Sequence, residues 1–204
     1  MTDFKVNIDI KSYVAEQKMK LKDFFANNDR PLWIIQVGNN EASNRYIRNK
    51  IKDCKEVGLF NVAWSVFDET ISQEDLMEEI HDRQNEFSGI IVQLPLPAHI
   101  SEEAIALAIP PEKDIDGFHP ESKTVAATPL GVYTYLKDMN YEFSGKNAVI
   151  IGRSHIVGRP MHKLLLDANM NVTVLHTRTT EADKRFYLEH ADLIIVAAGK
   201  AGVV

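Results

Sequence analysis

The sequence predicts an α/β protein made of two open α/β domains with a cleft between them, and three observations carry that reading. Short apolar runs of strand length alternate with longer segments of helical period along the whole chain. The run Gly89-Ile-Ile-Val-Gln-Leu94 is apolar on both faces, as strands of a covered parallel sheet are. An aperiodic stretch bounded by prolines, Pro111 to Pro120, separates a first β-α-β-α-β-α series from a second α/β set. The domains are accordingly placed at 1–121 and 122–204.

The elements follow in order. Ile8 to Phe25 reads as an amphipathic helix whose apolar content is Tyr13, Val14, Met19, Leu21, Phe24 and Phe25; Asn27 to Pro31 breaks it. Leu32 to Gly38 is a strand, and a helix through Ser43 closes at Gly58. Asn61 to Phe67 is a second strand. Ser72, with Asp75 three residues on, starts a helix running to about Phe87. The third strand, Gly89 to Leu94, ends in Pro95-Leu96-Pro97, and Ser101 caps a short helix that stops before Pro110. In the second set, Pro129 sits in the first turn of a helix from Leu130 to Met139. Lys146 to Gly152, Asn171 to Leu175 and Asp192 to Ala197 are strands; Val157 to Ala168 and Ala182 to Glu189 are helices; Gly199 to Gly202 begins a turn. No internal repeat of fixed period is present.

Bulk composition narrows the classes. The apolar fraction of 45% and charged fraction of 25% in 204 residues are those of an ordinary globular protein. A formal charge of −6 and the lack of any basic tract argue against a nucleic-acid partner. Cys54 is the single cysteine, so no disulfide can form within the chain, which fits a reducing, cytoplasmic setting. The start Met-Thr-Asp-Phe-Lys has no apolar signal core, and no apolar run is long enough to span a membrane, so no membrane partner is expected. Seven histidines are scattered without the close spacing of a zinc site, and no metal is expected.

The helix after the first strand holds the first candidate site. On a helical wheel Arg45, Arg48, Lys52 and Lys55 fall in one solvated arc, while Ile47 and Ile51 face inward. Lys50 breaks this pattern. It falls toward the buried side, one turn beyond the ring of Tyr46. Either it snorkels past the helix edge, or it lines a cleft as a partly desolvated amine that takes part in acid–base chemistry. In open α/β sheets ligands sit at the carboxyl ends of the strands. The first strand leads to Tyr46 and Lys50 and the third delivers Gln93, so these residues share one sheet edge. The 111–120 stretch is either a solvated linker or a rigid loop that presents Asp116 to a ligand.

A second candidate follows the strand at Lys146. Gly152-Arg153-Ser154 and a helix containing Gly158 resemble a dinucleotide-binding entry turn, with Ser154 and Val157 where the fingerprint has its second and third glycines. A tight βα turn with no ligand is the alternative. Helix amides favour a phosphate, and Arg153 and Arg159 flank that end. The next strand leads into His176-Thr177-Arg178-Thr179, with no acid for ribose hydroxyls. Bases and hydroxyls there suit a ribose phosphate, hence NADP rather than NAD.

Five ordered segments then resemble one known family, that of bifunctional methylenetetrahydrofolate dehydrogenase/methenyltetrahydrofolate cyclohydrolases. They are Ser43-x-x-Tyr46-x-x-x-Lys50, Val92-Gln-Leu-Pro-Leu-Pro97, Lys113-Asp-Ile-Asp-Gly-Phe118, Thr128-Pro-Leu-Gly131 and Gly152-Arg-Ser-His-Ile-Val-Gly-Arg-Pro160. The resemblance implies tetrahydrofolate derivatives bound between the domains, oxidation of the methylene form with NADP, and hydrolysis of the methenyl form. It implies that Lys50 is the general acid/base, with Gln93 hydrogen-bonded to it, and that Tyr46 stacks on the folate rings. Asp116 would accept hydrogen bonds from the pterin. Val92 and Leu94 flank Gln93 in the substrate site, and Gly152, Arg153, Ser154, Arg159 and Thr177 would hold NADP in a Rossmann-like domain. Homodimerisation is implied by family analogy, with the exposed edge of the second domain as its surface.

Three departures stand out. His155 replaces a common asparagine, and Ala127 a common cysteine. Family members also carry further strands of the nucleotide sheet, a Pro-Gly-Gly-Val-Gly-type loop and a final helix, so the second domain here is expected to be incomplete at its C-terminus. On that basis hydrolase activity should outlast dehydrogenase activity. A cyclohydrolase alone, or a non-catalytic remnant that binds folate or a partner, are the rival readings.

Overall fold

The computed structural model describes residues 9–26, 30–199 and 202–203. The chain divides into two compact units, Met1–Lys113 and Asp114–Val204. The division falls ahead of the 121/122 boundary drawn from the sequence, because the segment after Lys113 closes on itself. The Asp114 carboxylate accepts the amides of Asp116, Gly117 and His119, and Gly117 lies directly against the backbone of Thr124 and Ala126. Ile8, Asn27, Asn28, Asp29, Lys200 and Ala201, to which the sequence assigned a helix start, a break and a turn, lie outside the described residues.

The first unit is a three-stranded parallel sheet of β1 (Leu32–Val37), β2 (Val62–Phe67) and β3 (Gly89–Val92), in the order β2-β1-β3. Four helices accompany it: α1 (Ile10–Phe25), α2 (Glu41–Glu56), α3 (Gln73–Arg83) and α4 (Glu102–Ala108). Every residue of β1 and β3 is buried, which is why both read as continuous apolar runs. Trp33, Ile35 and Val37 pack on one face with Leu76 and Ile80 of α3 and Ile105 of α4. Leu32 and Ile34 pack on the other with Ile47 of α2. Ser72 caps α3 as its spacing implies, accepting from the Asp75 amide at 3.0 Å. The helix gives way at Arg83 to a 3-10 turn, Gln84–Glu86, short of Phe87.

Helix α1 is less embedded than its period suggests. None of its residues is buried, and Val14, Met19, Leu21 and Phe24 are exposed. It is held through Phe25, which joins the Leu32–Ile34 cluster, and through Lys18, which donates to Asp53 at 2.5 Å and to Glu56 at 2.7 Å on α2.

The second unit contains α5 (Ala127–Asp138), β4 (Asn147–Ile151), α6 (Gly158–Asp167), β5 (Asn171–Leu175), α7 (Glu181–Glu189) and β6 (Leu193–Val196). Its sheet is again parallel, in the order β5-β4-β6. Ala148 and Ile150 pack with Met161 and Leu165 of α6, while Val149, Ile151 and Leu175 pack on the other face with Leu188 of α7. Helix α5 begins before Leu130, so Pro129 lies within its first turn, where a missing amide costs little. Among the described residues no helix is long and apolar enough to cross a membrane.

Candidate functional site

The first group of site residues stands at the carboxyl edge of the first sheet. Helix α2 starts where β1 ends, and the Asn40 side chain caps it by accepting from the amides of Ala42 and Ser43 at 2.9 and 3.1 Å. Gln93 directly follows β3, and its amide donates to the Ile35 carbonyl of β1 at 2.8 Å. Strand adjacency therefore puts Gln93 and the start of α2 on one edge.

Helix α2 buries Ile47 and exposes Arg45, Arg48, Lys52 and Lys55, as the wheel required, and it also buries Ser43 and Asn44. Lys50 is half-buried. Tyr46 is 64% exposed. The buried arc of Ser43, Asn44 and Ile47 is centred roughly 100° from it at about 100° per residue, where the inward-facing isoleucines already lie. A groove of about 440 Å³ lined by Arg48, Ile51, Lys52, Lys55 and Glu56 runs along the side of α2 away from Lys50. Cys54, also on α2, has its thiol pushed up by burial, which makes it a poor nucleophile.

The hydrogen bond expected between Gln93 and Lys50 is not formed. Gln93 Nε2 donates to the Leu94 carbonyl at 2.8 Å, and Oε1, the only side-chain atom that could accept from an ammonium, is buried without a partner. The amide is anchored on its neighbouring carbonyl instead. A buried acceptor without a donor is costly and uncommon, so this oxygen marks a place where a donor belongs. Val92 packs into the apolar cluster of Trp33 and Ile35, so its side chain is core. Leu94 is half-buried and precedes Pro95 through a cis peptide bond.

Asp116 lies in the second unit and is half-buried. What shapes its loop is Asp114, a residue the sequence reading passed over. Asp114 is 3% exposed; its Oδ1 accepts from the amides of Asp116 at 3.1 Å and Gly117 at 3.0 Å, and its Oδ2 from His119 at 2.9 Å. The signal was present in Asp-Ile-Asp-Gly: an aspartate whose carboxylate bonds the amide two residues on is an Asx turn. Gly117 completes it at φ 73°.

The nucleotide candidate lies at the carboxyl end of β4. Gly152 has φ 113°, and a Cβ there would stand 2.4 Å from the Ala197 carbonyl oxygen. A Cβ on Gly158 would stand 2.3 Å from the Gly152 carbonyl oxygen. The sequence reading put Val157 at the place of the third glycine; the structure gives that close-packing task to Gly158, one residue later. Ser154 ties the turn together. Its Oγ accepts from the amides of Val157 and Gly158 at 3.2 and 3.4 Å, and its carbonyl from Arg159 at 3.0 Å. The first amides of α6 are thus already engaged. Attraction for a phosphate falls to the exposed Arg153 and Arg159 and to the helix dipole. Thr177 is exposed in the turn after β5, which closes through Thr179 N to the His176 carbonyl at 2.8 Å, and residues 176–180 contain no acid. Close-packed glycines, two exposed arginines and the threonine hydroxyls of the turn after β5 fit a dinucleotide carrying a ribose phosphate. Among the described residues no group of three or more His, Cys, Asp or Glu is gathered for a metal ion.

Known proteins bear directly on these features. Residues 5–116 match the family model of the tetrahydrofolate dehydrogenase/cyclohydrolase catalytic domain, and residues 126–204 match that of its NAD(P)-binding domain. The bifunctional protein FolD of Staphylococcus aureus is 45% identical over 184 residues, which cover 85% of this chain and 63% of that protein. The chain thus spans 63% of the length of this curated relative. The crystal structure of the bifunctional FolD enzyme of Campylobacter jejuni superposes with a TM-score of 0.89 at 39% identity, covering 95% of this chain and 74% of that one. The Trypanosoma brucei dehydrogenase-cyclohydrolase, complexed with NADP cofactor and inhibitor, superposes at 0.87 with 28% identity, covering 97% and 73%. Matched by a family model on either side of its unit boundary, the chain belongs to the tetrahydrofolate dehydrogenase/cyclohydrolase family.

Proposed function

We propose that the chain interconverts one-carbon tetrahydrofolates: NADP-dependent oxidation of 5,10-methylenetetrahydrofolate to the methenyl form, and hydrolysis of the latter to 10-formyltetrahydrofolate. The observation that carries this reading is the buried acceptor without a donor, Gln93 Oε1, directly after β3, the neighbour of the strand that leads into the helix of half-buried Lys50.

In the hydrolytic step water adds to the methenyl carbon, the bond from that carbon to N5 breaks, and one proton is released. Lys50 takes the proton from the attacking water and returns one to the departing nitrogen. Gln93 Oε1 accepts a hydrogen bond from the Lys50 amine or from substrate once either is in place. Tyr46, already exposed, offers its ring face to the folate, with Leu94 beside Gln93 and the Val92 backbone behind it. Asp116, held by Asp114, accepts from the pterin. For the oxidative step, bound NADP supplies a hydride acceptor for the methylene carbon. Gly152 and Gly158 keep the β4–α6 turn tight, Arg153 and Arg159 attract the phosphates, Ser154 orders the turn, and Thr177 faces the ribose phosphate. This step asks the protein for alignment more than for proton transfer.

Methenyl hydrolysis is expected of this chain, with Lys50 as its acid/base. Following both steps spectrophotometrically tests this, with Lys50→Ala expected to lower hydrolysis at least about 100-fold. Robust NADP reduction without methenyl hydrolysis would refute the assignment. Folate binding without turnover, unchanged by Lys50→Ala, would favour a non-catalytic folate-binding role.

A further inference from the structure

Strand β1 carries one polar residue, Gln36, and it is 1% exposed. Both polar atoms of its amide are used. Oε1 accepts from Trp64 Nε1 of β2 at 3.1 Å; Nε2 donates to Asn44 Oδ1 of α2 at 2.7 Å and to the Gly38 carbonyl at 3.1 Å. Asn44, 7% exposed, passes the connection on, donating Nδ2 to Asn39 Oδ1 at 2.8 Å. Two strands, the β1–α2 loop and the first turns of α2 meet on this one side chain.

Helix α2 needs such an anchor. Half of its residues are charged, and Ile47 is its only buried apolar side chain. Apolar contact fixes how deep a helix lies but tolerates small rotations and slides; short hydrogen bonds of defined direction do not. Asn44 precedes Tyr46 by half a turn and Lys50 by about 9 Å of helix at 1.5 Å per residue. A rotation at Asn44 therefore passes rigidly to both.

We propose that Gln36 is a positioning residue: through Asn44 it sets the rotation and register of α2, and thereby the places of the Tyr46 phenol and the Lys50 amine. Its catalytic consequence rests on the function proposed above; its geometric content does not.

Two variants of the whole chain test it, Gln36→Leu and Gln36→Leu with Asn44→Leu. The first leaves the buried Asn44 Oδ1 without a donor and Trp64 Nε1 without its acceptor, so it lowers Tm. The second removes the Asn44 orphan and recovers part of that Tm. In both variants the amides of Ala42 to Ile47 should exchange about tenfold faster, while those of β1 and β3 stay protected. In both, kcat for methenyl hydrolysis per folded molecule should remain about tenfold low, the scale of effect that a small misplacement of a catalytic group produces. Unchanged exchange in α2, or a kcat that recovers together with Tm in the double variant, overturns the proposal. If the unmodified chain hydrolyses no methenyltetrahydrofolate, the assigned function fails, and exchange in α2 still decides whether Gln36 holds the helix.

Discussion

Strands β3 and β6 are nearly the same peptide, Gly-Ile-Ile-Val and Leu-Ile-Ile-Val, and each is the third strand of a three-stranded parallel sheet. Yet β3 is buried throughout, while β6 alternates, with Ile194 41% and Val196 48% exposed. The difference comes from the surroundings. Helices α3 and α4 cover one face of the first sheet and α2 the other, and the Lys113 carbonyl accepts the Ile90 amide from beyond β3. In the second unit α7 reaches Val149, Ile151 and Leu175 but leaves the β6 end of that face open. A run of β-branched residues specifies a strand; what lies on it specifies burial.

The sharpest way to break this comparison is to truncate the matching isoleucines. Ile90→Ala, at a site with no exposure, is expected to cost about 2–5 kcal/mol in the unfolding transition of the first unit. Ile194→Ala should stay within about 1 kcal/mol, as partly exposed side chains do. Urea denaturation followed by fluorescence and circular dichroism measures both. Equal losses would mean that β6 is as enclosed as β3.

A smaller effect tests whether the second unit has any segment fixed as tightly as β3. Asp114→Asn keeps an oxygen for Asp116 and Gly117 but loses the charge-assisted bond from the His119 amide. A cost of about 1.5–3 kcal/mol is expected, with faster amide exchange confined to residues 114–119. If exchange there is unchanged, the loop owes its shape to something else.

The smallest effect concerns α1, the least embedded helix of the first unit. The bond from Lys18 holds the Glu56 carboxyl below its ordinary value of 4.5, so that stabilisation is complete above this value and is lost as pH falls through the depressed one. Lys18 is raised by Asp53 and Glu56, so its share persists below 10.5 and is lost only as pH climbs past the raised value. Acid should therefore loosen α1 first. Cys54 packs in the same cluster as Phe25, so its labelling by a dithiodipyridine should speed up below about pH 4.5 while β1 amides remain protected. A labelling rate that does not change with acid would show that the Lys18 bonds do not hold the helix.

Most of the fold was legible because parallel strands buried on both faces and capped helices leave strong local marks: Leu32 to Val37, Ser72 with Asp75, and Asn171 to Leu175 all stand where their patterns put them. The burial of Ser43 and Asn44 was not legible, since a wheel that weighs only apolar side chains does not register polar ones. Gln36 was hidden the same way, a polar letter inside an apolar run. The exposure of α1 was hidden because an apolar stripe states a capacity to pack and not the presence of something to pack against. In the nucleotide turn, spacing suggested the glycine fingerprint, but only contact distances reveal that Gly158 performs the third glycine's task.

That turn also imposes an order on synthesis. The bend at Gly152 is shaped against the carbonyl of Ala197, a residue added to the chain long after it. A nascent polypeptide emerging from the ribosome has β4 and α6 available early, but the tight corner between them gains its abutment only when the peptide of β6 has cleared the exit tunnel and docked.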